Sequence, residues 1–526
     1  MSDVRAGQQL VIKQEGKKLK KEEVLTQYFH DKTDALEINY THVENEYDDF
    51  KKEVLLPHKM SQFGPGVSVA DINGDGREDF YVGGAAGSKG ALFIQKANGS
   101  FAKKASKAID KDSACEDIQS LFFDLENDGD MDLYIVSGGN EFEKDAKELQ
   151  DRLYINDGKG NFKKSDGLPK MISSGACIAA NDFDGDGDND LFVGGRLIPG
   201  KYPFPSRSYL LENNGGKFTD ITSDVAPDLL FPGMVTSAVW TDFNQDGKSD
   251  LMVTGEWMPI RFMEQKDNRF VDRTSSYGFE NTTGWWFSLE KADMDGDGDD
   301  DYVAGNLGLN YKYKGTEQEP FHVYANDFDK NGKMDIVLGY YNQGKAYPVR
   351  GLQCSSEQCP TIKNKFKTYD DFGSATLDMV YGADNLNASL HYEANIFESC
   401  YIENKGNGNF KISPLPNMAQ ISSVNSLLLH DFDGDGNKDI LLAGNIHGSE
   451  IETPRNDAGI GLWLKGDGNG QFEAISSKES GFFAPHVVND MTLLKRGKEQ
   501  IVLLGNNNAA MQSFVVASSG NIVLEE

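Results

Sequence analysis

The chain has no run of about 18 apolar residues, so no segment of it reads as a membrane-spanning helix. Its first stretch, Met1 to Glu23, is polar and rich in lysine, and lacks the apolar core of a signal peptide. Read literally, that places the protein in the cytosol. The alternative is that Met1 is not the natural start and a secretion signal lies upstream. Cysteine is scarce, and the odd count of five leaves at least one thiol unpaired. Cys354 and Cys359 are close enough in sequence to bridge locally, and Cys115 and Cys177 each precede an Asp-rich segment. Proline is also sparse, 16 residues against 56 glycines, which points to many tight turns rather than a low-complexity linker. Basic residues are the minority: 52 against 83 acidic, a net charge of −31. That balance excludes nucleic acid as a partner, because phosphates need a positive surface. No nucleophile elbow, HExxH pair or phosphate-binding glycine loop is present, and the eight histidines are scattered. His430, beside Asp431, reads as structural.

High acidity with low hydrophobicity would suggest disorder. Here the acids fall at fixed positions between apolar runs, which excludes it. Seven segments carry an acidic or amide residue at positions 1, 3, 5 and 9 and glycine at position 6. The first is Asp71, Asn73, Asp75 and Asp79, and the second Asp124, Glu126, Asp128 and Asp132. Then come Asp182, Asp184, Asp186 and Asp190, followed by Asp242, Asn244, Asp246 and Asp250. The fifth is Asp293, Asp295, Asp297 and Asp301, and the sixth Asp327, Asp329, Asn331 and Asp335. The last is Asp431, Asp433, Asp435 and Asp439.

Calcium is a hard cation that takes six to eight oxygens, and a tight loop aims side chains 1, 3 and 5 at one point. The carbonyl of position 7 adds an oxygen, position 9 closes the shell, and glycine at position 6 permits the sharp turn. The spacing therefore predicts about seven calcium sites. An EF-hand begins the same way but needs a bidentate Glu at position 12 between two helices. Position 12 is Val82, Ile135, Val193, Val253, Ala304, Leu338 and Leu442, apolar throughout, so the EF-hand is excluded.

Each loop is flanked by short apolar runs, such as Leu121-Phe122-Phe123 before and Phe80-Tyr81-Val82 after, which read as buried strands. A second hairpin recurs between loops: a strand, a glycine turn and a Phe, as in Leu153-Tyr154-Ile155 with Phe162. Two hairpins per repeat make four antiparallel strands, one blade of a β-propeller. The repeats recur at roughly 50 to 60 residues, except that the Asp327 loop comes early and a long stretch follows it. A copy at 490–505 keeps the strands without the acids. The expected fold is an all-β propeller of seven or eight four-stranded blades with a partly helical insert at 351–398.

These loops and strands resemble the FG-GAP, or VCBS, repeats of integrin α-chains, fungal lectins and secreted bacterial proteins. Segments such as Leu56-Pro57-His58-Lys59-Met60-Ser61, Cys115-Glu116-Asp117 and Thr283-Gly284-Trp285-Trp286 are similar to the bacterial group related to cartilage acidic protein. Asp3 to Leu10 is similar to the end of the ASPIC/UnbV domain that often adjoins the propeller in that group. The implied organisation is a tail over 1–22, a lead-in over 23–60 and the propeller over 61–526. The resemblance implies an extracellular or cell-surface setting, calcium in the loops, and a binding or adhesion role rather than a catalytic one; aromatic and amide groups on the expected ligand face suit a glycan or protein ligand. Calcium ions that only brace the blades are the simpler reading of the loops themselves.

A ligand site is expected on the face away from the loops, built by the segments after each second strand. These supply Asn140, Arg196, Glu256, Trp257, Asn306 and Asn445, joined by the 351–398 insert with Tyr369, Phe372 and Tyr381 over the mouth. Ordinary loop residues are the plain alternative. Trp285 and Trp286 read as core. A calcium-dependent, lyase-like enzyme acting on polysaccharide is the second functional reading, with Lys201, Lys312 or Arg455 as contributors.

Overall fold

The computed structural model describes residues 27–406 and 408–517. Its strands form eight sheets with antiparallel neighbours, seven of four strands and one of four with a short fifth strand, Gly284–Trp285, paired to its second. The resemblance at residues 3–10 lies outside the described residues.

Seven sheets form a ring. Their first strands are Val67–Ala70, Asp117–Phe123, Ser174–Asn181, Met234–Thr241, Ser288–Ala292, Ser426–His430 and Val487–Arg496. Each neighbours the next in that order, and the last returns to the first. The Asp-poor copy is thus a full blade, the seventh. Phe29–Asp31 pairs with Gln512–Val516 and supplies the outer strand of that blade, so the lead-in closes the ring. Phe29 is buried among Trp463, Phe432 and Phe482, with ring centroids 5.4–5.8 Å away. Burying one such phenyl ring contributes roughly 1.5–3 kcal/mol, and here it fastens the two ends of the ring together.

The core lies between blades. Tyr81 and Leu92 of the first blade pack on Leu133, Ile135 and Tyr154 of the second, and the pattern repeats around the ring. Second strands such as Asp79–Val82 and Asp190–Leu197 are buried along their whole length, because a blade covers each of their faces. That explains their unbroken apolar runs.

The Asp327 unit stands outside the ring. Its sheet comprises Phe321–Asn326, Asp335–Asn342, Lys345–Pro348 and Leu390–Ala394. It is inserted between the second and third strands of blade five, Asp301–Gly305 and Cys400–Asn404. One face, with Phe321, Val323, Ile336 and Leu338, packs on Trp257, Trp285, Leu55 and Leu56. Short helices between Leu352 and Asn387 cover the other face around Val337.

Two expectations for the insert are corrected. Cys354 and Cys359 are free thiols, and Cys359 is buried under the helices. Phe372 and Tyr381 do not reach over the mouth. They pack on Phe366 and Phe328 beneath the helices, and Tyr369 is 69% exposed. The apolar face of a four-stranded sheet outside the ring needs its own cover, and these helices supply it. Trp285 and Trp286 are fully buried.

Candidate functional site

Every Asp loop joins the first and second strands of its sheet, so the six loops of the ring gather at one end of the propeller. The position-6 glycines take φ from +80° at Gly76 to +100° at Gly187, a region costly for side-chain-bearing residues. A Cβ added at any of these seven glycines would meet nothing within 4 Å, so the demand is conformational rather than one of space. Position 4 takes positive φ as well, and the sequence reading missed it. Gly74, Gly185, Gly296 and Gly434 sit there, but so do Asn127 at +55°, Gln245 at +59° and Lys330 at +62°.

Position 1 holds the turn shut. Asp71 accepts from the N–H groups of Asp75 and Gly76, and Asp431 from those of Asp435 and Gly436. Position 2 is apolar and mostly buried, as with Ile72, Leu125, Phe243 and Phe432, and anchors the loop to the core. Position 9 is nearly or wholly buried in every loop. In the ring its carboxylate accepts from a backbone N–H near the end of the third strand: Gln95, Asn156, Asn213, Gln265, Asn404 or Gly466, at 2.7–2.9 Å. It also accepts from position 2, as from Leu125 to Asp132 at 3.1 Å. Burial pushes the Asp132, Asp190 and Asp250 carboxyls up to about 7 against the pull of these N–H bonds. Position 9 therefore ties the loop to the third strand besides facing the loop interior.

Carboxylate oxygens converge within 4.8 Å of one another in Asp182, Asp184 and Asp190, in Asp293, Asp295 and Asp297, and in Asp327, Asp329 and Asp335. These groups can hold a metal ion, and an all-oxygen donor set suits a hard one. In loop four an oxygen of the buried Asp250 has no hydrogen-bond partner. Two loops carry a cation of their own. Arg77 pairs with Asp75, and Lys465 pairs with Asp433 and with Asp435.

At the other end lies a cavity of about 470 Å³. It is lined by the starts of the inner strands, the segments after second strands, and lead-in residues around His58. Of the six expected ligand residues, Arg196 and Asn445 line it. All six are at most 5% exposed, and each is engaged by other parts of the chain, though Arg196 Nε and one Glu256 carboxylate oxygen have no hydrogen-bond partner. Asn140 donates to Asp49 and Glu53 and accepts from the Gly200 N–H. Arg196 pairs with Glu256 and lies over the Phe63 ring at 3.3 Å. The Trp257 indole N–H donates to Tyr202, Asn306 donates to the Ile396 carbonyl, and Asn445 donates to that of Gly459. They fix loops that frame the cavity. The solvent-facing polar groups there are others, among them Arg455, Glu290 and Asn489. Lys312 is engaged by the Glu452 carbonyl and Thr453.

Partial desolvation inside the cavity pushes the carboxyls of Glu290 and Asp490 up to about 7, and the negative charge of Asp490 raises that of Glu290 further. Asp490 accepts from the Val67 N–H at 2.7 Å. No helix among the described residues is long and apolar enough to cross a membrane.

Residues 71–135, 124–193, 182–253 and 242–304 match the FG-GAP-like repeat. No curated protein matches the chain in sequence. Among solved structures, the V. cholerae biofilm matrix protein Bap1 is similar at 11% identity and a TM-score of 0.36, over 92% of this chain and 91% of that one. BBS1N in complex with ARL6DN is similar at 9% identity and a TM-score of 0.39, over 95% and 100%. YCF48 bound to D1 peptide gives 10% and 0.37, over 91% and 100%. Four FG-GAP-like repeats are matched over residues 71–304, and the described sheets close into a ring of seven blades, so this chain is a β-propeller that carries FG-GAP-like repeats.

Proposed function

We propose that this propeller is a calcium-braced binding module of an extracellular or cell-surface protein, presenting the cavity end to a glycan or protein ligand. The observation that carries the reading is the division of labour between its two ends. Carboxylates clustered in tight loops occupy one end, and a polar cavity of about 470 Å³ occupies the other. Positions 1, 3, 5 and 9 would hold calcium, and the ion would neutralise charge that otherwise strains each blade. Bound ions would thus act on ligand affinity by keeping the frame of the cavity rigid, not by touching the ligand. Arg455, exposed at the cavity, offers a guanidinium for a carboxylate or sugar hydroxyl.

The test is an array of glycans and peptides probed in millimolar calcium and in EGTA, with Arg455→Ala alongside. The expected outcome is a ligand class bound in calcium, weakened by EGTA and weakened by the cavity substitution. Binding indifferent to Arg455→Ala and to calcium would contradict the reading.

A further inference from the structure

The inserted sheet carries a second kind of donor cluster, away from any Asp loop. His322 pairs in register with Glu393, and Tyr324 with His391, across the strands Phe321–Asn326 and Leu390–Ala394. Side chains two residues apart on a strand share a face, so His322, His391 and Glu393 converge there. His322 Nδ1 lies 2.9 Å from His391 Nε2. Glu393 Oε1 lies 3.5 Å from the first nitrogen and 3.7 Å from the second.

We propose that His322, His391 and Glu393 form a site for one divalent transition-metal ion of the zinc class, distinct in chemistry from the oxygen-only loops. Three donors each about 2.0–2.1 Å from a tetrahedral ion stand about 3.3–3.4 Å apart, and the observed spacings bracket that value. A direct imidazole–imidazole hydrogen bond is the plain alternative. It accounts for the 2.9 Å contact, but it gives Glu393 no reason to sit nearly equidistant from both nitrogens, beyond hydrogen-bond reach of each.

The surroundings support ligation. Tyr324 stacks on His391 at 4.2 Å with the rings 3° from parallel, which fixes the imidazole plane. Tyr341 lies 5.3 Å from His322 on the other side. The strand bearing His391 and Glu393 is the sheet edge, and their side chains are 33% and 45% exposed against 4% for His322. The ion thus enters from solvent and keeps an open position for water or an outside ligand, as three-ligand zinc sites do. Imidazole donors discriminate against calcium, so this site and the loops load independently.

The experiment is titration of the whole chain with zinc chloride in millimolar calcium, followed by calorimetry, and by absorption with cobalt(II) as a spectroscopic substitute. The expected result is one zinc per chain and visible cobalt bands of a low-coordinate nitrogen–oxygen site. His391→Ala and Glu393→Gln, both at exposed edge positions, should each weaken that equivalent by about tenfold or more. Circular dichroism reports whether each variant is folded, and Glu393→Gln serves if His391→Ala is not. Absence of a zinc equivalent in the native chain, or one unchanged in a folded variant, overturns the assignment.

Discussion

The side-chain amide of Asn156 donates to the carbonyl of Ile72 at 2.8 Å, joining the third strand of blade two to the Asp loop of blade one. The same link recurs from Asn213 to Leu125, Gln265 to Phe183 and Asn404 to Phe243, at 2.8–3.3 Å. Gln95 makes the corresponding bond to Lys495 across the closure. The backbone N–H of each of these amide residues donates to the position-9 carboxylate of its own blade. One residue therefore fastens its own loop and its neighbour's. In blade six the position is Gly466, where a Cβ would meet the Lys438 carbonyl at 2.0 Å, so that seam lacks the link.

Asn213→Ala should destabilise the protein by about 1–3 kcal/mol, because it leaves the Leu125 carbonyl without its buried donor. Urea unfolding measures it. A cost within error of zero would mean that the amide links are incidental to blade packing.

Gln245 and Lys330 hold left-handed backbone at a position where four loops use glycine. Gln245→Gly should raise stability by roughly 0.5–1 kcal/mol, the relief of left-handed strain less the entropy glycine adds to the unfolded chain. A loss of stability in thermal or urea unfolding would show that the Gln245 side chain contributes something glycine cannot.

The propeller architecture and the Asp loops were legible because each repeat states its chemistry locally. The 1-3-5-6-9 spacing marks the loop, and apolar runs mark strands buried on both faces. The number of blades in the ring was not legible. The Asp327 unit has the same local signature as a blade, and only chain connectivity places it between two strands of blade five. Conversely, the blade at 487–516 lost its acids because the two-residue turn after Arg496 replaces the loop, and its outer strand comes from Phe29–Asp31, remote in sequence. The expected ligand ring failed to face solvent for a related reason. Asn140 follows its second strand as expected, whereas Glu256 lies within its own, Asp250–Met258, and the lead-in and the loops after second strands fold over both. The His322–His391–Glu393 cluster left no local signal, since its parts are about 70 residues apart and meet only by strand register.

Glu290 projects into the channel near Asp490, and its carboxyl is pushed up to about 7. An acid whose folded pKa is raised costs nothing below its unfolded pKa near 4, then destabilises increasingly as pH rises toward 7. Glu290→Gln should therefore match the native chain at pH 4 and exceed its stability at pH 8. The gain should be on the order of 1 kcal/mol, kept small by the water that screens the charge in the channel. Equal stability at pH 8 would mean that the channel solvates Glu290 fully.

Calcium held in the Asp loops is proposed to brace the blades. Ligands that bind only the native state raise its stability by mass action. Unfolding should be followed by calorimetry on one preparation, in millimolar calcium and in excess EGTA, with zinc absent. The melting temperature should be higher in calcium by several degrees or more, approached stepwise as calcium is titrated in. The same melting temperature in both buffers would contradict it.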